Sequence, residues 1–126
     1  MMLKPTDSEL EILQLLWQRG PSSVREINDE LNERKEVGYT TTLKIMQLML
    51  GKELLTRTEK GRFHVYEAAV AQEITQKHLV NRFVDTAFGG QAMNLVMQTL
   101  GNHKASQKEL DGIKALLEKM QEQGAA

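Results

Sequence analysis

Four side chains in one segment have the types and the spacing to do recognition chemistry together. The stretch "VGYTTTLKIMQLMLGKELL", residues 37–55, carries Thr40, Thr41, Lys44 and Gln47. At about 100° per residue in a helix, Thr40, Lys44, Gln47 and Gly51 share one side, with Thr41 and Leu48 on its edge. Thr42, Ile45, Met46 and Met49 fall on the other side. The first side offers hydroxyls, an amide and one lysine, and it holds no acid. A solvated helix face usually mixes Glu with Lys, whereas a face without acids is one that a phosphate-lined groove tolerates.

Each residue has a specific capacity. Thr40 is expected at the helix start, where its oxygen can cap and the positive end of the helix favours a phosphate. Thr41 can reach a phosphate or place its methyl against a thymine methyl, Lys44 can reach guanine or a phosphate, and Gln47 can pair with adenine. Leu48 either touches a thymine methyl or is simply an exposed leucine. Tyr39, just before the helix, can donate its hydroxyl to a phosphate. A plainer alternative makes the three threonines a capping cluster and nothing more. Thr42 is expected to be buried, its hydroxyl bonded to a backbone carbonyl one turn back.

Catalytic and metal chemistry find little support. There is no cysteine, which removes disulfides, thiolate metal sites and a catalytic thiol. The three histidines, His64, His78 and His103, stand far apart, and no HExxH, GxSxG or P-loop pattern occurs. No enzymatic activity and no cofactor are expected. No apolar run approaches the roughly 18 residues that span a bilayer, and the opening "MMLKPTDSELE" has no signal-peptide core. No membrane insertion is expected, and a cytoplasmic location is.

The elements that must position the recognition residues are well punctuated. "PTDSELEILQLLWQRGP" carries a capping box from Thr6 to Glu9, an apolar stripe of Leu10, Leu13 and Trp17, and a Gly20-Pro21 stop. "SSVREINDELNER" repeats the box with Ser23 and Glu26 and buries Val24, Ile27 and Leu31. The segment with Tyr39–Gln47 is the third helix. The period then changes to alternation: "LLTRTE" and "FHVYEA" flank Lys60-Gly61-Arg62 and predict a β-hairpin. Three short helices and a hairpin predict a winged helix-turn-helix; a generic small α+β domain is the alternative.

The charge agrees with the first of these. From Gly38 to Tyr66 five bases stand against two acids, a local +3 in a chain of net charge −1. Arg57, Lys60 and Arg62 flank or occupy the hairpin turn, as a wing lying along a phosphate backbone requires.

Beyond Ala68 three more helices are predicted, in "AQEITQKHLVNRFVDTAFGG", "QAMNLVMQTLG" and "SQKELDGIKALLEKMQEQ", the last opened by a Ser106–Glu109 capping box. These roughly 55 residues bury too little surface to fold alone. A second copy packing on the same helices solves that, so this part reads as a dimerisation module. Its seam is expected to use Phe83, Phe88, Met93, Val96, Leu100, Leu110, Ile113 and Leu117.

"LEILQLLWQRGPSSVREINDEL", "GYTTTLKIMQLM" and "FVDTAFGGQAMNLV" resemble the penicillinase-repressor family, the BlaI/MecI/CopY regulators, from about Thr6 to Met120. The resemblance implies a dimeric repressor with an N-terminal winged helix for a palindromic operator and a C-terminal helical dimerisation domain. It also implies that Tyr39, Thr40, Thr41 and Lys44 meet DNA. Three departures bear on regulation and shape. No Asn-Phe pair, the family's cleavage site, occurs in the chain; the comparable place is Gln98-Thr99. No Cys-x-Cys motif exists to sense copper. Glu53 stands where the family usually has a glycine after the third helix, so that helix is expected to end differently.

The expectation is therefore a mostly α protein with a small β-hairpin wing: a winged helix-turn-helix over residues 1–70 and a helical dimerisation domain over 71–126. Its expected partners are double-stranded DNA and a second copy of itself, with Tyr39, Thr40, Thr41, Lys44, Gln47, Arg57, Lys60 and Arg62 at the DNA. A protease or sensor partner has no signature in the sequence. The competing reading is a winged-helix protein-interaction module that does not bind DNA.

Overall fold

The computed structural model describes residues 4–124. Its elements run α1 (Asp7–Arg19), α2 (Val24–Asn32), α3 (Tyr39–Gly51), β1 (Leu55–Lys60), β2 (Phe63–Ala68), α4 (Gln72–Ala87), α5 (Ala92–Asn102) and α6 (Gln107–Gly124). This is the mostly helical chain with one hairpin that the pattern predicts. It divides into two compact units, Met1–Leu79 and Val80–Ala126. The division falls inside α4. The helix runs without a break through its first turns, where Thr75 is buried and donates to the Ala71 carbonyl at 2.8 Å.

Capping starts α1 and α2 as the sequence predicts. The Thr6 hydroxyl accepts from the Glu9 N–H at 3.2 Å while the Glu9 carboxylate accepts from the Thr6 N–H at 2.9 Å. Ser23 and Glu26 form the same reciprocal pair at 3.2 and 2.9 Å. Gly20, at φ 84°, ends α1 in a conformation that only glycine adopts at low cost.

The end of α3 corrects an expectation. The Leu54 N–H donates to Met49 O at 2.9 Å and the Glu53 N–H to Leu50 O at 3.1 Å. That is the glycine-type Schellman ending, with Glu53 itself at φ 64°. The helix closes as it would with a glycine because buried Met49 and Leu54 hold the turn from both sides. A glutamate in the left-handed region is strained, so Glu53→Gly is expected to raise stability by about 0.5–1 kcal/mol. Urea denaturation measures it; an unchanged midpoint would show that the strain at Glu53 is no larger than the backbone entropy that glycine loses on folding.

The first unit packs around Leu13, Leu16, Ile27, Leu31, Met46, Met49, Leu55 and Tyr66, contributed by all three helices and both strands. Two links tie the hairpin base to the helical part, and a third closes the base itself. The Trp17 indole N–H donates to Val70 O at 3.0 Å. Ser22, in the α1–α2 connection, exchanges backbone hydrogen bonds of 3.0 and 2.8 Å with Tyr66. The Ala69 N–H donates to Leu54 O at 2.8 Å. Across the helices, Lys52 Nζ lies 2.7 Å from Glu9 Oε2, a carboxylate almost wholly removed from water.

In the second unit, consecutive glycines Gly89 and Gly90 at φ 57° and 85° break the chain after α4. The Ser106–Glu109 box is present at 3.0 and 3.1 Å. Among the described residues of this unit only Val84 is buried, and α5 and α6 bury none. Of the eight expected seam residues, Phe88 and Ile113 are half-buried and the other six are exposed.

Candidate nucleic-acid interface

The exposed residues of α3 are Tyr39, Thr40, Thr41, Lys44, Gln47, Leu48 and Gly51, the side that helical spacing singles out. Thr42, Met46 and Met49 are buried. The exposed face contains no carboxylate.

The threonines divide as their spacing requires. Thr42 is fully buried, and its hydroxyl donates to Gly38 O at 3.4 Å, one turn back. It also accepts from Asn28 Nδ2 at 2.8 Å, and Asn28 Nδ2 donates to Val37 O at 3.1 Å. Asn32 adds a second bond to Val37 O at 2.9 Å and accepts from the Val37 N–H at 3.1 Å. Two asparagines on α2 thus fix the peptide that leads into α3. Helical spacing alone gives no sign of this, because the partners lie on different elements.

Two details of the α3 start are corrected. The N-cap is Gly38, and no side chain caps the helix. Thr40 therefore caps nothing: it lies one residue inside the helix, too far along to fold back over the first turn. The threonines form no capping cluster, which leaves Thr40 and Thr41 free to face outward. Tyr39 is the first residue of the helix rather than a residue before it.

The wing is a two-stranded antiparallel hairpin closed by Gly61 and Arg62, with Gly61 at φ 64°. Glycine in the first turn position is what a type II′ hairpin turn demands. Register separates the basic residues. Arg57 stands opposite Tyr66 and Lys60 opposite Phe63, and these two pairs belong to opposite faces of the hairpin. Arg62 lies at the turn itself. Lys52, one of the five bases in this region, is drawn away to Glu9. Lys44, Arg57, Lys60 and Arg62 enter no ion pair among the described residues.

A further base stands beside them. The Arg25 guanidinium lies over the Tyr39 ring, 5.7 Å from its centroid. Both border a groove that is also lined by Leu43 of α3 and by Arg62, Phe63 and His64 from the wing. Glu26, the acid in the first turn of α2, is held by Ser23 and Arg19. The Ser23 hydrogen bonds and the Arg19 charge together hold its carboxyl below the ordinary glutamate range. His64 lies 3.5 Å from Glu59 across the hairpin, and the His103 ring lies 3.2 Å from Thr99 O. Among the described residues no three His, Asp or Glu side chains cluster as metal ligands would.

A helix-turn-helix with an acid-free third helix, flanked by a basic hairpin, is a winged-helix module. The penicillinase-repressor family model matches residues 5–119, and the chain belongs to that family of transcriptional repressors. The penicillinase repressor of Staphylococcus aureus is 21% identical over 110 residues, covering 87% of each chain. The solution structure of the Bacillus licheniformis BlaI monomeric form in complex with the blaP half-operator matches 58% of this chain and 89% of its own. Its TM-score is 0.51 at 20% identity. The transcriptional regulator Tm0710 from Thermotoga maritima matches with a TM-score of 0.55 at 19% identity, over 96% of this chain and 80% of its own. These structural likenesses show the fold; the family model shows the kinship.

Proposed function

We propose that this chain is a homodimeric repressor that binds a palindromic operator in double-stranded DNA. In this reading residues 1–70 bind DNA and residues 71–126 form the dimer. The observation that carries it is the α3 surface: every exposed residue of that helix is uncharged or basic. A half-site enters with α3 in the major groove, where Lys44 and Gln47 face base edges and Tyr39, Thr40 and Thr41 sit at the groove edge. Arg62 at the turn, with Arg57 on one face of the hairpin and Lys60 on the other, brings positive charge to the backbone beside it. A second copy covers the apolar side chains that α4, α5 and α6 leave in water. The protein acts by occupancy rather than catalysis, in the cytoplasm, with no cofactor.

The test is binding to duplexes from the region upstream of its own gene, followed by fluorescence anisotropy at two salt concentrations. A protein–phosphate interface weakens steeply with salt. Lys44→Ala is expected to weaken binding by about 1–3 kcal/mol. If Lys44 meets only phosphate, the loss is alike on all duplexes; if it reads a base, the loss is concentrated on the operator. Unchanged affinity for every duplex would remove Lys44 from the interface, and absent or salt-insensitive binding by the parent would sink the repressor reading in favour of a protein-interaction module.

A further inference from the structure

We propose that the groove between the start of α2, the head of α3 and the wing seats one backbone phosphate of duplex DNA, and that Arg25 is the residue that holds it. This rests on the DNA-binding reading above and adds a contact that lies outside both α3 and the hairpin.

Four observations carry it. The Arg25 guanidinium stacks at 5.7 Å on the ring of Tyr39, which orients its planar fork without using its N–H donors. It makes no ion pair among the described residues. The wing supplies Arg62, which enters no ion pair among the described residues; His64 also lines the groove but lies 3.5 Å from Glu59, whose carboxylate is not itself among the lining groups. The nearest acid in sequence, Glu26, already accepts from the Ser23 N–H at 2.9 Å and lies 3.3 Å from Arg19.

The occupant follows from this chemistry. Two arginines from different elements and a phenolic hydroxyl, all lining one groove, suit a small oxyanion that accepts several hydrogen bonds at once. Leu43 and Phe63 add apolar surface, which strengthens the field of the bases by displacing water. A phosphodiester of the strand flanking the major groove meets these requirements at the point where α3 enters. Because Tyr39 opens α3, a phosphate held there sets how far the helix reaches along the groove. Arg25 is thus a positioning residue: it places Lys44 and Gln47 against base edges without reading a base itself.

The experiment uses the full chain and a fluorescein-labelled duplex of mixed sequence, with affinity followed across a salt series. Arg25→Ala and Arg25→Gln are expected to weaken binding several-fold, by the same factor on unrelated duplexes. Both should reduce the slope of log K against log salt by about one. Arg25→Lys should restore the slope without the full affinity. Tyr39→Phe keeps the ring, so Arg25→Ala should cost as much in that background as in the parent. Tyr39→Ala removes the ring, and Arg25→Ala should then cost less. An unchanged slope in Arg25→Ala and Arg25→Gln, with Lys44→Ala still impaired, would overturn the phosphate seat and leave the DNA-binding reading standing. A parent protein that binds no duplex at any salt would overturn both.

Discussion

The Leu117→Glu protein is expected to sediment as a monomer at concentrations where the parent is a dimer. Leu117 is 55% exposed in the single chain, on the stripe of α6 that also holds Leu110 and Ile113. A helix of 18 residues that buries nothing by itself cannot be held by its own packing. In the proposed symmetric dimer the two copies cover each other's apolar stripe. A carboxylate placed there loses water on association and faces its twin across the axis. Uncompensated buried charge costs several kcal/mol, enough to undo an ordinary dimer. Affinity for a palindrome should fall with it, because the second half-site no longer benefits from tethering, while affinity for an isolated half-site should persist. A dimer of unchanged mass in sedimentation velocity would take Leu117 out of the seam.

Removing the Lys52 ammonium is expected to have the next largest effect, about 1–3 kcal/mol of stability at neutral pH in Lys52→Ala. Burial pushes the Glu9 carboxyl upward, yet the Lys52 hydrogen bond and charge, with the Thr6 hydrogen bonds, outweigh it and hold the group below its ordinary value. A carboxyl lowered on folding stabilises the protein above its unfolded pKa, about 4.3. That contribution fades as the pH falls through the folded value. Without Lys52 the lowering weakens and burial gains ground. The stability gap between parent and variant should therefore be wide near neutrality and narrow in acid. Urea denaturation at the two pH values checks this, and a gap that does not change with pH would mean that Lys52 contributes by packing alone.

The division of α3 was readable in advance because burial there follows one period along one helix. That is why Thr42 could be separated from Thr40 and Thr41 by spacing alone. The N-cap was not readable to one residue: a shift from Thr40 to Gly38 leaves the periodic pattern intact and changes only which groups meet the first turn. Asn28 and Arg25 were missed for a different reason. Their partners, Thr42 and Tyr39, lie 14 positions away on another helix, and no local pattern connects them. The split of Arg57 from Lys60 could have been found, since three residues along a strand reverse the face. The Ser22–Tyr66 pairing had no such signal, because "GPSS" reads as a turn and not as an edge. The second unit was legible as amphipathic helices, while nothing local in the sequence says which of their faces touch, since α5 and α6 bury no residue in the single chain.

The exchange of hydrogen bonds between Ser22 and Tyr66, with the Trp17 bond to Val70, gives the wing two very different halves. Its root moves with the helices, because Tyr66 is stapled to the connection between α1 and α2. Among the described residues its outer half, from Thr58 to Val65, hydrogen-bonds along its own ladder and carries the His64–Glu59 contact. The hairpin therefore behaves as a short cantilever clamped at one end. In the proposed complex the tip, with Lys60, Gly61 and Arg62, would adjust to groove width more readily than the root does. Tolerance at the flank and stringency at the centre of a half-site would then come from one mechanical design.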